Sequence, residues 1–255
     1  MLAFRRSGAG PTVVALHGFT HTGAQFDGLA SGIGRTVIAP DLPGHGHSKD
    51  APSTLPSVVA QVAETLVAVH TGAVPIVGYS QGGRVALLVA DARPDLVSGL
   101  ALISTTAGIA DPVARAARAQ ADRKLASHIV EAGIEGFLDG WTRSGITSTT
   151  HLEAGARQAD LDIRMENTAA GLAAAVEGYG QGAQPSLWDS LASITVPVVL
   201  ITGSEDPVYT AHAEAMARRL PDATVEVLEG ARHNPLLDTP DLLTAAISGF
   251  LDRLG

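Results

Sequence analysis

The chain has 255 residues, a net charge of −9, no cysteine and 45% hydrophobic residues. That length and apolar content suit one large core or a core with an insertion, and they exclude a disordered chain. The missing cysteine excludes disulfides, thiolate metal sites and a cysteine nucleophile, and the negative charge argues against nucleic acid as a partner.

The first buried-strand signature is Thr12–Leu16, a β-branched run closed by His17-Gly18. Residues 36–39 repeat it and run into a Gly/Pro/His loop over 41–48. Helical spacing follows over 57–70, a strand over 74–79, a helix over 81–92 ending before Pro94, and a strand over 96–103. This alternation predicts a parallel sheet with helices on both faces. From about residue 106 to 186 the pattern turns helical, with stretches at 112–132, 134–141 and 151–176. Strands return at 196–202 and 224–228, each followed by a helix (211–220 and 242–254). An ordinary crossover needs about a dozen residues. A block of roughly 80 therefore reads as a helical cap, 106–186, inserted into a core formed by 1–105 and 187–255. The N-terminus carries two arginines without a following apolar run, and no stretch of about 18 apolar residues occurs. The expectation is a cytoplasmic protein with no signal peptide and no membrane contact.

Gly78-Tyr79-Ser80-Gln81-Gly82 is a G-x-S-x-G placed after a strand and before a helix. A strand-to-helix turn this sharp crowds its neighbours, so small residues belong two before and two after the serine. The hydroxyl of Ser80 would then stand at the sheet edge over a helix N-terminus, where negative charge is favoured. Asp206 follows one of the returning strands and His233 the next. The order Ser, Asp, His is that of a nucleophile-elbow triad, in which the histidine is the base and the carboxylate fixes its tautomer. Glu205 is a rival for the carboxylate. His17-Gly18-Phe19 follows the first buried strand, so the backbone N–H groups of Phe19 and Gln81 are expected to form an oxyanion hole, with His17 packing the loop. His45 and His47 form an H-x-H without a third ligand nearby, and neither a metal nor a cofactor is expected. The other histidines (His21, His70, His128, His151, His212) read as surface or loop residues. The fold expected from these motifs is α/β, of the α/β-hydrolase type.

Arg84 lies four residues after Ser80, one helical turn on, and on the same face. A cation in the first turn opposes the helix dipole. Arg84 either holds an anion beside Ser80 or extends outward to solvent or a carboxylate. Arg115 and Arg118 read as solvated cations on a cap helix, where acidic residues outnumber basic ones over 106–186.

With these residues in view, the chain resembles the 2-succinyl-6-hydroxy-2,4-cyclohexadiene-1-carboxylate synthases of menaquinone biosynthesis. The shared features are His17-Gly18-Phe19, the D-L-P-G-H-G-x-S loop over 41–48, G-Y-S-x-G-G-R over 78–84, Asp122-Arg123, Trp141, the R-x-x-N of Arg164 and Asn167, and the Gln-Pro-Ser-Leu-Trp ending at Trp188. The chain departs from that pattern after Trp141 (Thr142-Arg143-Ser144-Gly145-Ile146) and after His233, where Asn234-Pro235-Leu236 lacks the usual second histidine.

The resemblance implies a lyase that eliminates pyruvate from a cyclohexene polycarboxylate. The triad would act as a base without an acyl-enzyme. Arg84, Arg123 and Arg164 would hold carboxylates, and Tyr79 and Trp141 would line the pocket. The partner implied is a small anionic substrate. Two other readings stay open. One is a hydrolase of esters or carbon–carbon bonds with Ser80 as nucleophile; the other is a binding protein that keeps the triad without turnover.

Overall fold

The structure is a computed structural model that describes every residue except Ser144, which belongs to the departing segment after Trp141. Seven strands form one sheet: β1 (Phe4–Ser7), β2 (Thr12–Leu16), β3 (Thr36–Pro40), β4 (Val74–Tyr79), β5 (Val97–Ile103), β6 (Val198–Gly203) and β7 (Ala223–Leu228). Their order is β1-β3-β2-β4-β5-β6-β7, with β1 antiparallel to β3 and all other neighbours parallel. The sequence pattern does not reveal β1. It is an edge strand whose residues alternate between exposed and half-buried, and two of the four are arginines.

Alternation along the inner strands sorts their side chains to two faces. Val14, Leu16, Ile76, Leu100 and Leu200 pack against α2 (Leu55–Val69), α3 (Gln81–Ala92) and α7 (Pro207–Ala217). Val13, Ala15, Val77, Ile103 and Ile201 face the other way, toward α1 (Leu29–Ile33) and α8 (Pro240–Leu254). Both layers are sealed, which is why the strands read as continuous apolar runs.

Between β5 and β6 the chain forms α4 (Pro112–Trp141), α5 (Ala154–Met165) and α6 (Ala169–Tyr179). They share a separate apolar cluster of Ile129, Phe137, Leu138, Leu172 and Val176, and Phe19 of the core packs onto it. The stretches expected at 112–132 and 134–141 are one element kinked at Gly133, whose φ of 71° and ψ of 171° suit glycine alone. The single helix expected over 151–176 is two. It breaks where the Thr168 side chain caps α6 by accepting from the N–H of Gly171, and Asn167 ties the break to the core loop through Gly46 N–H and Thr20 O. Among the described residues no helix is long and apolar enough to cross a membrane.

Candidate active site

Ser80 sits between β4 and α3 with φ 49° and ψ −107°, a conformation costly for any residue with a side chain. The surrounding glycines are obligatory. A Cβ on Gly82 would stand 2.0 Å from the carbonyl oxygen of Leu16, and one on Gly78 would stand 2.6 Å from the Cα of Gly83. The Thr105 hydroxyl donates to the Ser80 carbonyl at 2.8 Å and Ser80 N–H donates to Ile103 O at 2.8 Å, so the strained turn is held by β5 and the loop after it.

The Ser80 hydroxyl lies 3.2 Å from Nε2 of His233, and Nδ1–H of His233 donates to Asp206 Oδ2 at 2.8 Å. His233 and Asp206 are both buried. Glu205, the rival carboxylate, is exposed and pairs with Arg232 at 3.0 Å. Asp206 also caps α7, its Oδ1 accepting from Tyr209 N–H at 3.2 Å. The ring of His233 neighbours two aromatic rings, Tyr209 at 4.4 Å and Tyr79 at 5.8 Å between centroids.

Phe19 and Gln81 line the same pocket as Ser80. Their loop is shaped by His17, fully buried, whose Nδ1–H donates to Gly18 O at 2.8 Å and whose Nε2 accepts from Leu42 N–H at 2.9 Å. Burial pushes the pKa of His17 down to about 3, so it is a neutral spacer. Gly18 is required because Tyr79 packs there: a Cβ would fall 2.6 Å from its ring. Burial likewise raises the Tyr79 phenol, which stays protonated.

Among the described residues four arginines line the pocket, Arg84, Arg118, Arg164 and Arg232, the last paired with the exposed Glu205. Arg84 is 6% exposed, and its Nη1 donates to Gln184 Oε1 at 2.8 Å and Tyr179 O at 3.2 Å. Among the described residues no carboxylate lies within ion-pair distance of it. Burial accordingly lowers its pKa from 12.5 to about 10. Arg164 is buried and paired: its Nε donates to Asp160 Oδ2 at 2.7 Å and its Nη1 to the Thr20 hydroxyl.

The geometry corrects the expectation for Arg123, which is exposed and does not line the pocket. On α4 it is one residue, or 100°, past Asp122. Asp122 is buried. It accepts from Arg118 Nε at 2.6 Å, one turn back on the same face, and from Gly182 N–H at 2.9 Å. Arg118 therefore occupies the place expected for Arg123. Arg115 lies elsewhere, donating to Ile109 O at 3.2 Å. Trp141 lines the pocket at the end of α4, edge-on to Phe19 at 5.6 Å, and its indole N–H is buried without a hydrogen-bond partner among the described residues.

His21 is a second correction. Expected at the surface, it is buried, lines the pocket and bonds Asp160 Oδ1 at 2.8 Å, joining the core loop to α5. His45 is also buried. No sequence signal pointed to Gln181 and Tyr209, which line the pocket beside Arg118, or to His151, another lining residue, which pairs with Asp238 at 2.7 Å.

The pattern of the alpha/beta hydrolase family matches residues 13–246. A 2-succinyl-6-hydroxy-2,4-cyclohexadiene-1-carboxylate synthase of Salmonella agona (strain SL483) is 30% identical over 238 residues, covering 90% of this chain and 89% of its own. A Bacillus subtilis (strain 168) protein assigned to the same synthase is 34% identical over 253 residues, covering 96% of this chain and 92% of its own. This chain belongs to that synthase family of α/β-hydrolases. Its likeness to MenH from S. aureus extends to the fold, with a TM-score of 0.94 at 26% identity over 100% of this chain and 99% of the other. An esterase from Thermogutta terrifontis matches less closely, with a TM-score of 0.82 at 27% identity over 99% of this chain and 93% of the other.

Proposed function

We propose that this chain is the menaquinone-pathway lyase that converts 2-succinyl-5-enolpyruvyl-6-hydroxy-3-cyclohexene-1-carboxylate to 2-succinyl-6-hydroxy-2,4-cyclohexadiene-1-carboxylate with release of pyruvate. One observation carries the assignment of the site: Arg84 is a buried guanidinium beside Ser80 with no carboxylate partner among the described residues. An uncompensated charge in a protein interior is costly. It is best explained by an anionic ligand that completes it. Arg118 and Arg164 place two further cations on the same cavity, and a guanidinium fork matches a carboxylate oxygen for oxygen. An esterase for neutral substrates has no use for this set.

In this reading Ser80 removes the ring C–H proton as its own proton passes to Nε2 of His233. The carbon's electron pair moves through the ring double bond, and the bond to the enolpyruvyl oxygen breaks. The leaving enolate regains a proton and ketonises to pyruvate. Negative charge developing on the succinyl carbonyl is met by the N–H groups of Phe19 and Gln81, the latter at the unsatisfied N-terminus of α3. Asp206 holds the tautomer and stabilises the imidazolium. No carbon–oxygen bond to Ser80 forms.

The test is release of pyruvate from the enolpyruvyl substrate, coupled to lactate dehydrogenase. The wild-type enzyme should turn over and Ser80→Ala should lose at least about a hundredfold in rate. Rapid hydrolysis of p-nitrophenyl butyrate with no pyruvate formed would replace this reading with a hydrolytic one.

A further inference from the structure

We infer that Tyr209 is a positioning residue for the triad base and the link through which the cap reports to it. Its role rests on the lyase reading above for the kinetic arms only. Tyr209 touches the triad twice: its backbone N–H donates to Asp206 Oδ1 at 3.2 Å, and its ring lies against His233, centroids 4.4 Å apart. Its hydroxyl points to the cap and accepts from Gln181 Nε2 at 3.3 Å, while Gln181 Oε1 accepts from Arg118 Nη1 at 2.7 Å. Arg118 is in turn fixed by Asp122 at 2.6 Å.

A continuous path thus runs from a pocket cation on α4 through Gln181 to the ring that braces the catalytic imidazole. Asp206 and His233 reach each other from separate loops of the core, and without a neighbour the imidazole could swing about its side-chain bonds. Tyr79 braces one side at a longer 5.8 Å, which leaves Tyr209 as the close contact. Two roles separate cleanly in this residue. The ring sets the place of His233, and the hydroxyl fastens the Arg118 side of the cap over the pocket.

Four variants test it: Tyr209→Phe, Tyr209→Leu, Gln181→Leu and the double variant Tyr209→Phe/Gln181→Leu. Tyr209→Phe keeps the ring, so kcat should stay within about twofold while KM rises about threefold or more, the effect of one neutral hydrogen bond. Tyr209→Leu should lower kcat at least about tenfold, and Phe at this position should rescue it relative to Leu. Because the hydroxyl acts only through Gln181, the double variant should be no worse than Gln181→Leu alone.

A wild-type kcat in Tyr209→Leu, or additive losses in the double variant, would overturn the inference. NMR of the His233 imidazole in the free protein provides a readout that needs no turnover. The Nδ1–H resonance, set by the bond to Asp206, should shift or broaden in Tyr209→Leu and hold in Tyr209→Phe even if pyruvate release fails in the wild type, and an unmoved resonance in Tyr209→Leu would sink the ring's role.

Discussion

Replacing Arg84 with methionine separates an anion site from a structural arginine. The lowered pKa of Arg84, from 12.5 to about 10, corresponds to roughly 3 kcal/mol of disfavoured charge in the free protein. Methionine removes that penalty and fills much of the same apolar volume. It also strands two acceptors, Gln184 Oε1 and Tyr179 O, each at a cost of about 1–3 kcal/mol. The two effects nearly cancel, so the melting temperature should move by no more than about 4 °C, the shift expected from roughly 1 kcal/mol in a chain of this size. Activity has no such compensation. A charge-assisted hydrogen bond to a substrate carboxylate contributes about 1.5–3 kcal/mol, and a forked pair would contribute twice that. Arg84→Met should therefore lose at least about a hundredfold in kcat/KM for pyruvate release. Differential scanning fluorimetry and the coupled assay on one preparation decide the matter. A melting temperature lowered by ten degrees or more with kcat/KM changed by less than about threefold would make Arg84 a structural residue and refute the argument.

The two neighbouring cap arginines should behave oppositely: Arg118→Gln should raise KM about tenfold or more, whereas Arg123→Gln, on the exposed face, should stay within about twofold in steady-state assays. Acid should destabilise the protein early. Burial holds the pKa values of His17 and His45 at about 3 and of His21 at about 4, whereas all three would titrate near 6.5 when unfolded. Below about pH 6.5 the unfolded chain therefore binds more protons than the folded one. Stability should fall as pH drops toward 4, by up to about 4 kcal/mol per pH unit. Urea midpoints that stay level from pH 7 to 4.5 would contradict this. Adding a methyl group at Gly82 drives it into Leu16 O, so Gly82→Ala should abolish soluble expression or lower the urea midpoint severely. Gly133→Ala meets no atom and should cost only the roughly 1–3 kcal/mol of its backbone conformation.

The sequence revealed the sheet because its inner strands are covered on both sides and so appear as unbroken apolar runs. The edge strand β1 escaped because Arg5 and Arg6 face partly to solvent and its single partner lies about 30 residues downstream. The serine, aspartate and histidine were legible from their positions at strand ends, since a glycine-flanked turn leaves few other ways to fold. The cap was harder. Alanine and charged residues alternate irregularly along α4, and with little apolar periodicity to orient it, nothing in the sequence shows that 118 and 122 face the pocket while 123 does not. His21 and Tyr209 carry no motif at all. Each owes its place to a partner more than 20 residues away in the chain, Asp160 for one and His233 for the other.

The backbone at Ser80 has a thermodynamic implication. Its φ of 49° and ψ of −107° store about 1–3 kcal/mol at the turn between β4 and α3. The strain belongs to the position rather than to the hydroxyl, so Ser80→Ala keeps it and Ser80→Gly releases it. On the role proposed for Ser80, a lineage freed from the need to catalyse would gain stability by losing this serine to glycine, trading turnover for a firmer fold.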